Sequence, residues 1–193
     1  MERRTEELES LLHDAGVSQA SMFIQDAIEQ ANDLIYQKSR SDPALRGMGT
    51  TIVVLLLFEN RLSLAHIGDS RCYRLRDNQF DQITKDHSLI QELIDRGFYT
   101  PEEARKSLNR NLVTRALGIN PGIIPDLYEE FVMKNDIYLL CSDGLTDLVD
   151  DDYISLTIKR FSDNLDDAAK QLITKANQNG GNDNISVILC RLT

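Results

Sequence analysis

The residues of this chain best suited to chemistry are aspartates at the ends of strand-like segments. Ser142-Asp143-Gly144 follows directly on the apolar run Ile137–Cys141. The Asp143 carboxylate is therefore expected at a sheet rim, where Gly144 lets the backbone turn sharply. Gly180-Gly181-Asn182-Asp183-Asn184 comes just before the final apolar segment, and Thr84-Lys85-Asp86-His87-Ser88 comes before a helical one. Each also has an ordinary reading: an Asp-Gly turn at Asp143, an Asn/Asp turn at Asp183, a helix N-cap at Asp86. Together they suggest a hard-cation site. Oxygen donors without nearby His or Cys pairs favour Mg²⁺ or Mn²⁺ over zinc or copper. A divalent ion would also offset the repulsion among converging carboxylates.

The elements that must position these residues are read from periodicity. Phe23, Ile24, Ala27, Ile28, Ala31, Leu34 and Ile35 fall on one helical face, and Ser39 to Pro43 ends the run. The period then changes to that of strands. Thr51–Phe58, Leu62–Ile67, Cys72–Leu75 and Phe80–Thr84, separated by Glu59-Asn60, Gly68-Asp69-Ser70 and Asp77-Asn78, predict a β-meander. Leu89, Ile90, Leu93 and Ile94 predict a second helix that stops at Gly97. Thr100-Pro101-Glu102-Glu103 then carries a capping box. Leu127–Met133 and Ile137–Cys141 read as strands joined by the turn Lys134-Asn135-Asp136. Helices near Asp152–Phe161 and from Leu165 to Asn177, and a strand over Ile185–Leu192, close the chain. Strands clustered in runs point to an α+β fold of antiparallel sheets with helices outside them, not to βαβ units.

Composition narrows the function. The 193 residues carry 31 acidic and 21 basic side chains, a formal net charge of −10, and 41% are hydrophobic. No Lys/Arg stripe is present to neutralise phosphates, which argues against nucleic-acid binding. No repeat, Pro-rich linker or low-complexity tract divides the chain, so residues 1–193 are read as one domain. The longest apolar run, Ile52 to Phe58, is far short of the ~20 residues that span a bilayer. The charged start MERRTEELESLL argues against a secretory signal, and a cytoplasmic location is expected. Cys72, Cys141 and Cys190 form no CxxC and read as core residues in a reducing compartment, not as zinc ligands or a disulfide framework.

Six segments in order carry a resemblance. Gly47-Met48-Gly49-Thr50-Thr51, Gly68-Asp69-Ser70-Arg71, Thr84-Lys85-Asp86-His87 and Asn111-Leu112-Val113-Thr114-Arg115-Ala116-Leu117-Gly118 come first. Ser142-Asp143-Gly144-Leu145-Thr146-Asp147 and Gly181-Asn182-Asp183-Asn184 complete the series. They resemble the successive motifs of the PP2C-type (PPM) metal-dependent serine/threonine protein phosphatases, bacterial type, over nearly all of the chain from Ala27 onward. The resemblance implies an αββα sandwich of two antiparallel sheets flanked by helices, with two Mg²⁺ or Mn²⁺ ions at one rim. Asp143 and Asp183 match core-metal aspartates, and Asp86 matches the position that helps to bind a third, weaker metal. Residues 88–109 match the flap beside the active site. The implied reaction is hydrolysis of phosphoserine and phosphothreonine in proteins by a metal-activated water, with substrates supplied by serine/threonine kinases. No residue distinct from the metal ligands is assigned a catalytic role.

By the same resemblance, Asp69 braces a strand connection, while Asn111, Thr114 and Arg115 support packing. His87 reads as solvated or helix-capping in preference to a proton donor, and His66 as core or surface. The family pattern also has an earlier part that Met1 to Arg46 does not match: a phosphate-gripping Arg, and a DG-x-GG segment whose Asp bridges both metals. The domain is thus expected to lack its first strands, and the chain alone to be weakly active or inactive. Sheet edges uncovered in this way would invite self-association. The alternative is a non-catalytic PP2C-like interaction or regulatory module.

Overall fold

A computed structural model of the chain describes residues 18–58, 60–100, 103–104 and 112–193. Two compact units are distinguished, each discontinuous in sequence. The first runs to Gly68 and adds Val113–Phe131; the second takes Asp69–Leu112 and Val132–Thr193.

In the first unit, helix α1 (Gln19–Ser41) begins at Ser18, whose Oγ accepts from the Ser21 N–H at 3.2 Å. Lys38 and Arg40 in its last turn complement the helix dipole. Strands β1 (Ile52–Phe58), β2 (Arg61–Ile67) and β5 (Asp126–Phe131) form an antiparallel sheet in the order β1-β2-β5. Alternate residues Ile52, Val54 and Leu56 of β1 and Ala65 and Ile67 of β2 face a cluster with Ile24, Ile28, Ile35 and Leu117. Full burial of Ile24 and Ile28 contributes about 1.5–3 kcal/mol each. The buried stripe of α1 is narrower than its periodicity predicts: Phe23 is 56% exposed and Leu34 is 65% exposed. Buried polar residues also occur in this unit. Asn32, fully buried, accepts from the Gly118 N–H at 2.8 Å and donates to the Asn120 carbonyl at 3.1 Å.

In the second unit, β3 (Arg71–Arg76), β4 (Gln79–Gln82), β6 (Ile137–Cys141) and β7 (Val187–Arg191) form an antiparallel sheet in the order β4-β3-β6-β7. Its helices are α2 (Leu89–Asp95), α3 (Asp143–Thr146), α4 (Asp151–Arg160) and α5 (Leu165–Gln178). Ala168, Leu172 and Ala176 of α5 recur at helical spacing and are buried, and Leu172 and Ala176 join Ile154 and Ile158 of α4 in a cluster with Tyr73, Leu139 and Cys141. Tyr73 stacks on Phe80 at 4.8 Å between ring centroids. The predicted capping box is present: Glu103 accepts from the Thr100 N–H at 2.8 Å, and Thr100 Oγ1 accepts from the Glu103 N–H at 3.3 Å.

One sequence expectation is corrected here. The first four strands are not one meander, because β1–β2 and β3–β4 are hairpins in separate sheets. The chain leaves the first sheet at Gly68, whose φ of 109° and close approach to Thr51 leave no room for a side chain. The expected turn at Lys134-Asn135-Asp136 is present, with the Asp136 N–H on the Met133 carbonyl at 3.1 Å and Asn135 at a φ of 72°, and it leads from β5 to β6 in the other sheet. Asp136 is buried, with both carboxylate oxygens on the Arg76 guanidinium at 2.9 and 2.6 Å.

Candidate metal centre

The acidic residues gather in the second unit because several element ends meet at one rim. Asp69 precedes β3, Asp86 lies between β4 and α2, and β6 delivers Asp143 at the first position of α3. The four-residue helix α3 then places Asp147 one turn beyond Asp143, with the Asp147 N–H on the Asp143 carbonyl at 2.8 Å. Asp69, Asp86, Asp143 and Asp147 line a cleft of about 470 Å³, walled on one side by Ile90 and Ile94.

The electrostatics reflect crowding of like charge. Burial, then Asp143, and further Asp86 and Asp147, push the Asp69 carboxyl up to about 6. Burial followed by Asp147, with Asp183 adding to it, raises Asp143 above the usual carboxylate range. Such a cluster is unfavourable until a cation joins it. A folded-state pKa above the unfolded value means that the folded state holds protons more tightly, so stability falls as pH rises through this window. The metal-free chain is therefore expected to lose on the order of 2–3 kcal/mol between roughly pH 4 and pH 7 from Asp69 alone. Thermal melts in chelator across that range check this; a flat profile would contradict it.

The segment carrying Asp183 is tied beside Asp143. The Ser142 N–H donates to the Ser186 carbonyl at 3.2 Å, and Ser142 Oγ donates to the Asn184 carbonyl and accepts from the Ser186 N–H, both at 3.0 Å. Asp183 itself is exposed and accepts from the Asn184 N–H at 2.6 Å. Gly144 is required for this contact, because a Cβ there would strike the Asn184 carbonyl oxygen. Gly144→Ala is expected to cost about 1–3 kcal/mol of stability by displacing residues 184–186. Urea unfolding measures it, and an unchanged midpoint would show that the segment yields freely.

Asp86 sits in the same cleft but is already engaged. Arg71 Nε donates to its two oxygens at 2.9 and 3.0 Å, Arg71 Nη2 donates to Oδ2 at 2.7 Å, and Gln82 Nε2 adds a bond at 3.0 Å. Burial alone would lower the Arg71 pKa; the bonds to Asp86 outweigh it, and the guanidinium stays charged. Arg71 Nη1 also donates to the Tyr73 hydroxyl at 3.0 Å, and that hydroxyl donates to Asp151 at 3.0 Å. The N-cap of α2 is Ser88, not Asp86, and His87 is buried, not solvated.

Of the aspartates expected as core-metal ligands, Asp143 lines the cleft and Asp183 lies near enough to raise its pKa; Asp69, expected as a brace, and Asp147, not singled out from the sequence, line the cleft as well. The signal for Asp147 was available: four residues after Asp143, it shares a helix face with it. Arg115 pairs with Asp126 at 2.6 Å in an exposed ion pair; Asn111 lies outside the described residues.

Two antiparallel sheets, flanking helices and an acidic rim place the chain in the structural class of the PPM phosphatases. The protein phosphatase 2C model matches residues 2–93. The serine/threonine protein phosphatase PstP of Mycobacterium tuberculosis is 42% identical over 165 residues, covering 84% of this chain and 31% of its own length. The serine/threonine phosphatase Stp1 from Staphylococcus aureus superposes with a TM-score of 0.87 at 34% identity, covering 93% of this chain and 71% of that one. A PstP catalytic domain solved in complex with two manganese ions has a TM-score of 0.81 at 36% identity, covering 97% of this chain and 77% of that one. The chain belongs to the protein phosphatase 2C family. It spans less than two thirds of the length of the curated relatives it matches.

Proposed function

We propose that this chain serves metal-dependent hydrolysis of phosphoserine and phosphothreonine in proteins, with Mg²⁺ or Mn²⁺ bound at the acidic rim. The observation that carries this is the convergence of Asp69, Asp143 and Asp147 on one cleft, where burial and mutual repulsion raise two of their pKa values. An all-carboxylate donor set suits a hard cation. Asp143 and Asp183 would hold the core metal, and Asp69 and Asp147 add negative charge beside them. A third-metal role for Asp86 belongs to the same proposal, at the cost of part of its fork to Arg71. When bound, the ions supply Lewis acidity toward water and the phosphoryl oxygens.

The chain's own residues do the positioning. Ser142 and Gly144 hold the Asn184–Ser186 strand entry against α3, which fixes Asp143 relative to Asp183. The Arg71–Tyr73–Asp151 bonds steady the far wall of the cleft. Residues 88–109 are proposed as the flap. Its start is anchored by buried Ser88, by the Leu89 N–H on the Leu112 carbonyl at 2.8 Å, and by Lys85 on Asp95 at 2.7 Å. Residues 1–193 are proposed to act as a single PP2C-like domain on phosphorylated proteins in the cytoplasm. No helix among the described residues is long and apolar enough to cross a membrane. Among the described residues, strand β1 is an edge of its sheet and carries no charged residue, which supports self-association along that edge.

The test is turnover of p-nitrophenyl phosphate and of a phosphothreonine peptide with Mn²⁺, with and without chelator. Metal-dependent turnover is expected, and chelator should abolish it. Saturating Mn²⁺ binding with no turnover would instead favour the non-catalytic module, and turnover unaffected by chelator would overturn the metal assignment.

A further inference from the structure

The acidic rim is not the only cleft of the chain. The first unit holds another of about 450 Å³, lined by Tyr36, Ser39, Arg40, Arg46 and the loop Gly118–Pro121. Its charge is opposite to that of the protein. The chain as a whole carries −10, yet this cleft has two arginines and no carboxylate among its lining residues.

Among the described residues, neither arginine is committed to a carboxylate, whereas five others are. Arg71, Arg74, Arg76, Arg96 and Arg115 each pair with a carboxylate. Among the described residues, neither the Arg40 nor the Arg46 guanidinium has an ion-pair or hydrogen-bond partner. Arg40, in the last turn of α1, has a local reason to be basic in the helix dipole. Arg46, five residues past the helix, has none.

The walls are fixed independently of any ligand. Asn32 spends both ends of its buried amide on the Gly118 N–H and the Asn120 carbonyl. Thr50 and Leu117 form a two-bond bridge, at 3.2 and 2.8 Å, that joins the Gly47–Gly49 loop to the Gly118 loop. Gly118 has φ 83° and lies so close to Ile35 and the Met48 carbonyl that no side chain fits. Two fork-shaped cations on a braced rim, with the hydroxyl-bearing Tyr36 and Ser39 in the same lining, supply the charge and donors that a tetrahedral dianion needs.

We propose that the Arg40/Arg46 cleft is a second site, separate from the acidic rim, which binds a phosphate dianion. The dianion could be free inorganic phosphate or a phosphoryl group displayed on a peptide; the recognising chemistry is the same.

The test is an NMR titration of the full chain in chelator, so that no divalent ion can recruit phosphate to the acidic rim. Inorganic phosphate is expected to shift the Gly47 and Gly118 amides saturably. Arg40→Gln/Arg46→Gln, changed at two exposed positions, should weaken this by about tenfold or more. A phosphopeptide that binds more tightly than phosphate identifies a displayed phosphoryl group as the ligand; equal affinity identifies the free ion. Failure of phosphate to shift either glycine, equal shifts in the double variant, or equal binding of the unphosphorylated peptide would each overturn the proposal. Because no catalysis is measured, the outcome is independent of the activity proposed above.

Discussion

Replacing Asp143 with Asn should weaken Mn²⁺ binding by about a hundredfold, since loss of a mere outer-shell partner already costs ~10–100-fold. The same change should raise the melting temperature of the metal-free chain. Both effects have one origin. Asp143 is pushed above its ordinary range by burial and by Asp147 and Asp183, so without a cation its negative charge opposes folding. Asparagine keeps the shape and removes the charge. The order of stability should therefore reverse between conditions: variant above parent in chelator, parent above variant in Mn²⁺. Calorimetry that finds unchanged Mn²⁺ affinity would remove Asp143 from the ligand set. A variant that melts lower in both conditions would mean that packing, not charge, dominates at this position.

The second large effect is expected far from that cleft. Asp136→Ala should cost about 3 kcal/mol, because it removes the buried carboxylate that takes two short bonds from the Arg76 guanidinium, itself only 17% exposed. It also leaves the Met133 N–H, which donates to Asp136 at 2.8 Å, without its acceptor. Burial works against the charged carboxylate, but the Arg76 bonds and the Met133 N–H outweigh it and hold its pKa below the ordinary value. This contribution is present above the unfolded pKa and is lost as pH falls through the lower folded one. Parent and variant should thus converge in strong acid. Urea unfolding at neutral pH measures the difference; a loss below about 1 kcal/mol would place the pair with ordinary surface bridges.

Much of this was legible from residue order because the signals are local. The apolar run Ile137–Cys141 is β6 to the residue, Thr100 and Glu103 form the predicted box, and α5 ends one residue past its predicted stop. Sheet membership was not legible. The alternation of Arg61–Ile67 and Arg71–Arg76 suits a neighbour in either sheet, and pairing is decided by partners more than 60 residues away, such as Leu139 opposite Tyr73. The same limit applies to the acidic rim. The strand-end position of Asp143 could be read from sequence, whereas the burial that raises Asp69 depends on which elements close over it. Neither could the sequence reveal that Asp86 is held by Arg71, fifteen residues earlier, across two strands. Phe23 and Leu34 show the converse: periodicity marks an apolar face, not what covers it.

Cys141 stands two residues before Asp143, but its side chain belongs to the hydrophobic core beneath the sheet, and burial pushes the thiol up to about 12. At cellular pH it remains a neutral S–H. Soft, thiophilic metals that compete for biological sites find no sulfur anion near the carboxylates. Peroxide and alkylating agents, which need a thiolate, are likewise denied an entry point at the root of the rim. Which face of one strand carries this sulfur thus decides that the donor atoms offered at the proposed metal rim are oxygens.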